Sequence, residues 1–165
     1  MNPVIDVLAS SEVDSLERLW GQLLIHHSQG APHLEALGEV RSPEESWRLR
    51  RGQYLALMQE PLTAVLVARD GEHLLGYAVV RVLHAPGSWQ WGDQVGVLET
   101  LVVDDEARGA GVGQALLGAA REHLTESGVQ VMKISVMAGN DAALRFYRRE
   151  GAVDFVRTLV MPVSE

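Results

Sequence analysis

"VVDDEARGAGVGQALLGAAREHL", residues 102–124, places Gly109, Gly111, Gly113 and Gly118 around the opening of what otherwise reads as a helix. A glycine inside a helix costs about 1 kcal/mol against alanine, so a helix that starts this way needs a compensating reason. N–H groups at a helix N-terminus have no intrahelical partners, and the aligned peptide dipoles leave roughly half a positive charge there. Glycines in and before the first turn remove Cβ atoms, so a phosphate can approach the main chain and several amides can converge on it. Arg108 adds a permanent charge with a planar donor fork. The stretch is a candidate phosphate or pyrophosphate cradle following a strand. Gly118 lies a turn further on and is expected to let the helix pack closely on a sheet.

Two other cradles fail on spacing. A nucleotide P-loop needs a Lys-Ser or Lys-Thr pair after its glycines, and none follows here. A dinucleotide fingerprint needs G-x-G-x-x-G, whereas Gly109, Gly111 and Gly113 stand two apart. On this stretch alone, a glycine-softened loop that binds nothing stays open.

The surrounding chain bounds the answer. Its 165 residues, 47% hydrophobic and 22% charged, suit one globular domain over residues 1–165. A net charge of -8 is the wrong sign for neutralising nucleic acid or an anionic membrane, and suits a cationic or neutral partner. With no cysteine there is no disulfide, thiolate metal site or cysteine nucleophile. The six histidines show no H-x-x-x-H or H-x-H spacing, so no metal is expected. No basic leader followed by an apolar stretch opens the chain and no run approaches ~18 apolar residues, so a cytoplasmic location is expected.

Along the chain, "PVIDVLA" reads as a first strand, and Ser11 followed by Asp14 opens a helix with Leu16, Leu19, Leu23 and Ile25 on its buried face. Ser42, Pro43 and Glu45 form the start signature of a second helix running to about Met58. From Leu62, two β-rich runs meet at Asp70-Gly71, which suits a tight hairpin. "VGVLETLVV" is a further strand, "VQVMKISVM" another, "NDAALRFYRREG" a helix and "AVDFVRTLVMPV" a last strand. The order β-α-α-β-β-β-α-β-α-β is a mixed sheet with helices on its faces, an α/β (α+β) class.

With these elements in order, "LVVDDEARGAGVGQALL" resembles the signature of the GNAT superfamily of acyl-coenzyme-A-dependent N-acyltransferases: an L-x-V strand, then Gln or Arg, two residues, Gly, one residue, and Gly or Ala. Leu101 and Val103 fill the strand; Arg108, Gly111 and Gly113 fill the loop. "NDAALRFYRREGAVDFV" is similar to the second hallmark, an Asn before a helix that carries an aromatic-Tyr pair and ends at Gly. The resemblance covers about residues 62–161. It implies a mostly antiparallel sheet of six to seven strands with about four helices, acetyl-CoA as acyl donor and a primary amine as acceptor, by direct attack in a ternary complex. A catalytically silent acyl-CoA sensor is the alternative.

The resemblance also assigns residues. Main-chain groups of Leu101, Val102 and Val103 would hold the pantetheine arm, and the amides of Arg108, Gly109, Ala110, Gly111, Val112 and Gly113 the pyrophosphate. Asn140, Ala143 and Tyr147 recur at helical spacing on the face that meets the cofactor. Tyr147 is the expected general acid, because a phenol near pKa ~10 stays protonated at neutral pH and can protonate a leaving thiolate. A base must deprotonate the acceptor ammonium; Glu99, alone among the apolar residues of its strand, is the candidate, with a water chain as the alternative. Alternation sets Glu99 on one face with Val97 and Leu101, where a neighbouring cation could pair it. For the acceptor, the candidates are Trp89 and Trp91 in "GSWQWGDQ" and His26-His27 at the end of the first helix. Longer relatives end in two strands; a single C-terminal strand leaves an edge that a second subunit can cover, and dimers are common in the family.

Overall fold

Alternating apolar residues build the sheet. In the computed structural model, which describes residues 3–164, Ala64–Asp70 (β2) and His73–His84 (β3) form the expected hairpin. Gly71 takes the left-handed conformation its tight turn demands, at φ 59°. Val4–Val7 (β1) pairs antiparallel with β2, and Gln94–Val103 (β4) pairs antiparallel with β3. Met132–Ile134 (β5) then pairs parallel with β4, which gives the order β1-β2-β3-β4-β5.

Period-two patterning sends Val65 and Val67 to one face and Leu66 and Ala68 to the other, so both faces need cover. Glu17–Gly30 (α1) and Pro43–Leu57 (α2) cover the first, burying Leu19, Trp20, Trp47 and Tyr54 against Val65, Val67, Tyr77 and Val79. Val112–Glu126 (α3) covers the second with Leu116, Leu117, Ala120 and Leu124, and Asp141–Arg149 (α4) adds Tyr147. Helix α2 starts as its sequence requires, with Ser42 Oγ accepting from the Glu45 N–H at 3.2 Å and Pro43 in the first turn. Among the described residues no helix is long and apolar enough to cross a membrane.

Several expectations are corrected. Residues Ser10–Leu16 form a 3₁₀ turn in which the Glu12 carboxylate accepts from the Ala9 N–H at 3.3 Å; Ser11 does not cap a helix, and α1 begins at Glu17. Ile25 is exposed, since nine residues at 100° each carry it half a turn away from the buried Leu16. Gly118 faces open space; the close helix-sheet approach lies instead at Gly96 of β4, where an added Cβ would collide with Leu124. Residues 152–163 pair with no strand, so among the described residues the sheet has five strands and not six to seven. Their apolar alternation suits a strand, but a strand forms only where an edge takes its hydrogen bonds. Met1, Asn2 and Glu165, which the leader and single-domain expectations include, lie outside the described residues.

Candidate functional site

Strands β4 and β5 pair only where Gly96–Leu98 faces Met132–Ile134. Beyond that, β4 continues to Val103 while residues 135–137 turn away. The parting opens a small cavity between Glu99 and Thr100 on one side and Ser135 and Val136 on the other, bordered also by His27 and Tyr147. It adjoins a larger cleft of about 700 Å³ that runs along the end of β4 to the start of α3.

A β-bulge shapes this region. Val79 faces Thr100 and Val80 faces Leu98, so Glu99 is an extra residue with no partner on β3. Leu98 accordingly packs on the α3 side while Val102 packs on the α1/α2 side, although both would share a face in a regular strand. The expected alternation of Glu99 with Val97 and Leu101 therefore does not hold: Glu99 stands where the two faces exchange. A buried hydroxyl network fixes the bulge from behind, with Tyr54 Oη 2.7 Å from Thr100 Oγ1 and 3.1 Å from Tyr77 Oη. Burial pushes both phenols up, so they stay protonated. Arg81 Nη1 donates to Glu99 Oε1 at 3.3 Å, which pairs the carboxylate while it still borders the cavity.

Tyr147 comes from α4. Asn140 Oδ1 accepts from the Ala143 N–H at 3.1 Å and caps the helix, so Tyr147 lies two turns on and borders both the small cavity and the cleft. The ring packs edge-on to Phe146, and burial pushes the hydroxyl up to about 12. His27 also borders both spaces; burial first, then the charges of Arg50 and His26, lower its pKa and favour the neutral ring. His26 borders only the cleft, with Nε2 2.8 Å from Asp105 Oδ1.

Asp104 anchors the glycine stretch. The buried carboxylate takes Arg18 at 2.7 Å and Gln22 at 3.4 Å from α1, and caps the next turn through the Glu106 N–H at 3.2 Å. Burial opposes its charge, but these donors prevail and hold the carboxyl below its ordinary range. Gly109 and Gly111 then adopt φ of 77° and 82°, and α3 starts with no side chain capping its N-terminus. Gly113 needs no such conformation, and a Cβ there would meet Val103, Phe146 and Leu101 only at ordinary contact, 3.5 to 3.9 Å. Nothing among the described residues requires a glycine there, and its place on the cleft leaves the N-terminal amides of α3 open to approach. The Arg108 guanidinium lies 3.0 Å from Asp105, which offsets part of its charge.

Of the expected cofactor residues, Leu101, Val102, Val103, Arg108, Gly109, Gly111, Val112, Gly113, Asn140, Ala143 and Tyr147 border the cleft, and Ala110 does not. Trp89 and Trp91 border neither space; they stack on each other at 6.4 Å, and Trp91 meets Phe155 at 5.0 Å. The physical reason is distance along β4: from Gln94 to Leu101 the strand rises roughly 24 Å, which leaves the aromatic loop at the far end from the cleft. Met137 and Gly139 border the cleft without having been expected there. Their one signal was the "AGN" turn before α4, with Gly139 at φ 93°.

Residues 25–152 match the model of the acetyltransferase (GNAT) family. A mycothiol acetyltransferase of Cellulomonas flavigena is 35% identical, the match taking in 81% of this chain and 45% of that protein. One from Kocuria rhizophila is 31% identical over 85% of this chain and 43% of its own length. The chain thus spans less than half the length of the curated relatives it matches. Among solved structures, a mutant protein from Bacillus halodurans superposes with a TM-score of 0.80 at 23% identity, covering 98% of this chain and 99% of that one. A GCN5-related N-acetyltransferase from Ralstonia eutropha gives 0.75 at 18% identity over 99% and 100%. At these identities the superpositions establish the fold.

Proposed function

Because the chain belongs to the acetyltransferase (GNAT) family, we propose that it is a cytoplasmic N-acetyltransferase moving an acetyl group from acetyl-CoA to a primary amine by direct attack in a ternary complex. The observation that carries this reading is Tyr147, which borders both the cleft suited to the donor and the cavity containing Glu99. The donor fits the chain on three counts: the cleft volume is within the range of cofactor sites, the N-terminus of α3 is uncapped, and Gly113 has no internal explanation.

Bound acetyl-CoA would supply an activated thioester and a thiolate leaving group. The N-terminal amides of α3, from Val112 to Gln114, hold the pyrophosphate, and Arg108 adds charge at the rim. Main-chain groups of Leu101 to Val103, which lie past the parting of β4 from β5, hold the pantetheine arm. Glu99 takes the proton of the acceptor ammonium, directly or through one water, and Arg81 fixes its carboxylate. The freed nitrogen forms the C–N bond as the C–S bond breaks. Tyr147 donates to the departing sulfur. A phenol near 12 facing a thiol near ~8.5 would lose roughly 5 kcal/mol in an isolated transfer, so Tyr147 acts first as a hydrogen-bond donor to the developing thiolate.

Glu99 in the acceptor cavity and the net charge of -8 favour a cationic amine. His27, neutral at pH 7, adds a hydrogen-bonding wall without repelling it. The test is thiol release from acetyl-CoA against polyamines, aminoglycosides, peptide N-termini and, given the name of the relatives, amines related to mycothiol. Turnover that drops in Tyr147→Phe with donor affinity kept supports the assignment. Donor binding without turnover on any amine would instead make the protein a silent acyl-CoA sensor.

A further inference from the structure

Among the described residues, nothing neutralises the charge of Arg50 on α2. Its guanidinium carbon lies 4.3 Å from the centre of the Trp20 ring and 5.6 Å from that of Tyr54. The ion pairs and side-chain hydrogen bonds that arginines make in this chain belong to others, although 22 acidic residues face only 14 basic ones. Arg48, Arg145, Arg149 and Arg157 are also unpaired, but they are exposed and water solvates them, whereas Arg50 is half-buried. Attraction to a ring face is electrostatic and uses none of the guanidinium's five N–H donors. The platform beneath it is fixed: Trp20 Nε1 donates to Ser46 Oγ at 2.9 Å, the Trp20 and Tyr54 rings meet edge-on at 6.4 Å, and both residues are buried.

This guanidinium stands beside the cavity that contains Glu99. Trp20, Leu23 and His27 recur at i, i+3 and i+7 on one face of α1, and the last two border the cavity, so Arg50 lies about one helical turn along that face. Its charge is felt there: burial first, and then Arg50, lowers the His27 pKa. Burial chiefly raises the Tyr54 phenol, and of the two charged groups that act on it Arg50 lowers it and Glu99 raises it, so both stand close to one side chain. The hydroxyl of that side chain meets Thr100, a lining residue of the cavity, at 2.7 Å. We propose that Arg50 is the anion receptor of the acceptor site and that the acceptor is a zwitterion, an amine carrying a carboxylate, with its ammonium toward Glu99 and its carboxylate on the Arg50 fork. This rests on the N-acetyltransferase reading of the cleft. A carboxylate matches the planar fork through two parallel N–H···O bonds. One cation balances one negative charge, and a chain at -8 disfavours a dianion such as a phosphate monoester. Glu99 alone would accept any ammonium; a second charged point selects among amines, because an amine without the anion gains nothing at Arg50.

The test compares amines that differ only in this group: glycine, leucine, phenylalanine and 4-aminobutyrate, each against its carboxamide. At least one carboxylate should exceed its carboxamide by about 10- to 100-fold in kcat/KM, as expected for hydrogen bonds to a charged group. An α-carboxamide makes its ammonium the more acidic, so amine availability alone favours the opposite order. Arg50→Gln should abolish the preference with the Kd for CoA unchanged, and Arg50→Lys, which keeps the charge and the ring contact but not the fork, should restore part of it. Calorimetric titration of the same pairs into the protein, with and without CoA, reads the site apart from turnover. If no amine is acetylated, the N-acetyltransferase reading fails, while carboxylate binding that Arg50→Gln removes upholds the anion receptor. Equal kcat/KM and equal affinity within every pair would overturn the proposal, as would a carboxylate preference that survives Arg50→Gln. A preference for O-phosphoethanolamine over every carboxylate would overturn it too, by assigning Arg50 to phosphate.

Discussion

Replacing Gly113 by Ala separates a ligand cradle from a packing requirement, because the two predict opposite signs. In the free protein a methyl at this position meets Val103 at 3.5 Å, Phe146 at 3.6 Å and Leu101 at 3.9 Å, all ordinary contacts. Its backbone already lies in the helix α3, so alanine should stabilise the chain by about 0.5–1 kcal/mol. For a domain of this size that corresponds to a rise in Tm of roughly 1–4 °C. The same methyl stands between the amides and a pyrophosphate. Losing one amide bond to a charged group costs about 1.5–3 kcal/mol, or roughly 10- to 100-fold in Kd for acetyl-CoA. Calorimetric titration with CoA and a thermal melt of the same sample read both quantities. Gly118→Ala is the control: it is exposed with nothing within 4 Å, and should raise Tm without touching affinity. Unchanged CoA binding in Gly113→Ala would refute the cradle, and a clear fall in Tm would show that the glycine serves packing.

Further substitutions probe the remaining parts. Tyr147→Phe should lower kcat by about 10²-fold or more with little change in donor Kd, and the unsubstituted protein should show no alkaline loss of the proposed activity from this group below pH ~10, since burial pushes the phenol up to about 12. Glu99→Gln should lower kcat/KM most at neutral pH and recover as the acceptor amine deprotonates itself at higher pH; a flat ratio across pH would leave proton removal to water. Tyr54→Phe strips a buried partner from both Thr100 and Tyr77 and should cost about 1–3 kcal/mol, seen as a fall in the urea midpoint. Asp104 is held below its unfolded value, so its contribution is present above pH ~4 and is lost as the pH falls through the folded pKa. Asp104→Asn should therefore cost about 1–2 kcal/mol at pH 7, discounted for the half-exposed Arg18, and progressively less as the pH falls through the folded pKa.

Local chemistry made much of this protein legible from its sequence. Glycine spacing, the Asn140 cap and the helical recurrence of Tyr147 are set within a few residues of one another, and the hairpin at Asp70-Gly71 needs only its own turn geometry. These features carried the family resemblance, and the matching family model covers them. Long-range features were not legible. The bulge at Glu99 exists because β3 and β4 mismatch by one residue, and nothing in "VLETLVV" announces a mismatch with a partner strand. Trp89 and Trp91 read as an acceptor wall by their nearness to β4 in sequence, but the length of that strand carries them away from the site. Residues 152–163 have the composition of a strand, and composition does not provide an edge. Sequence by itself determined most of the elements and the glycine-rich start of α3, whose forces act over one or two helical turns. Tertiary structure alone decided which side chains meet across the parted strands, because register, bulge and edge belong to pairs of segments and to no single one.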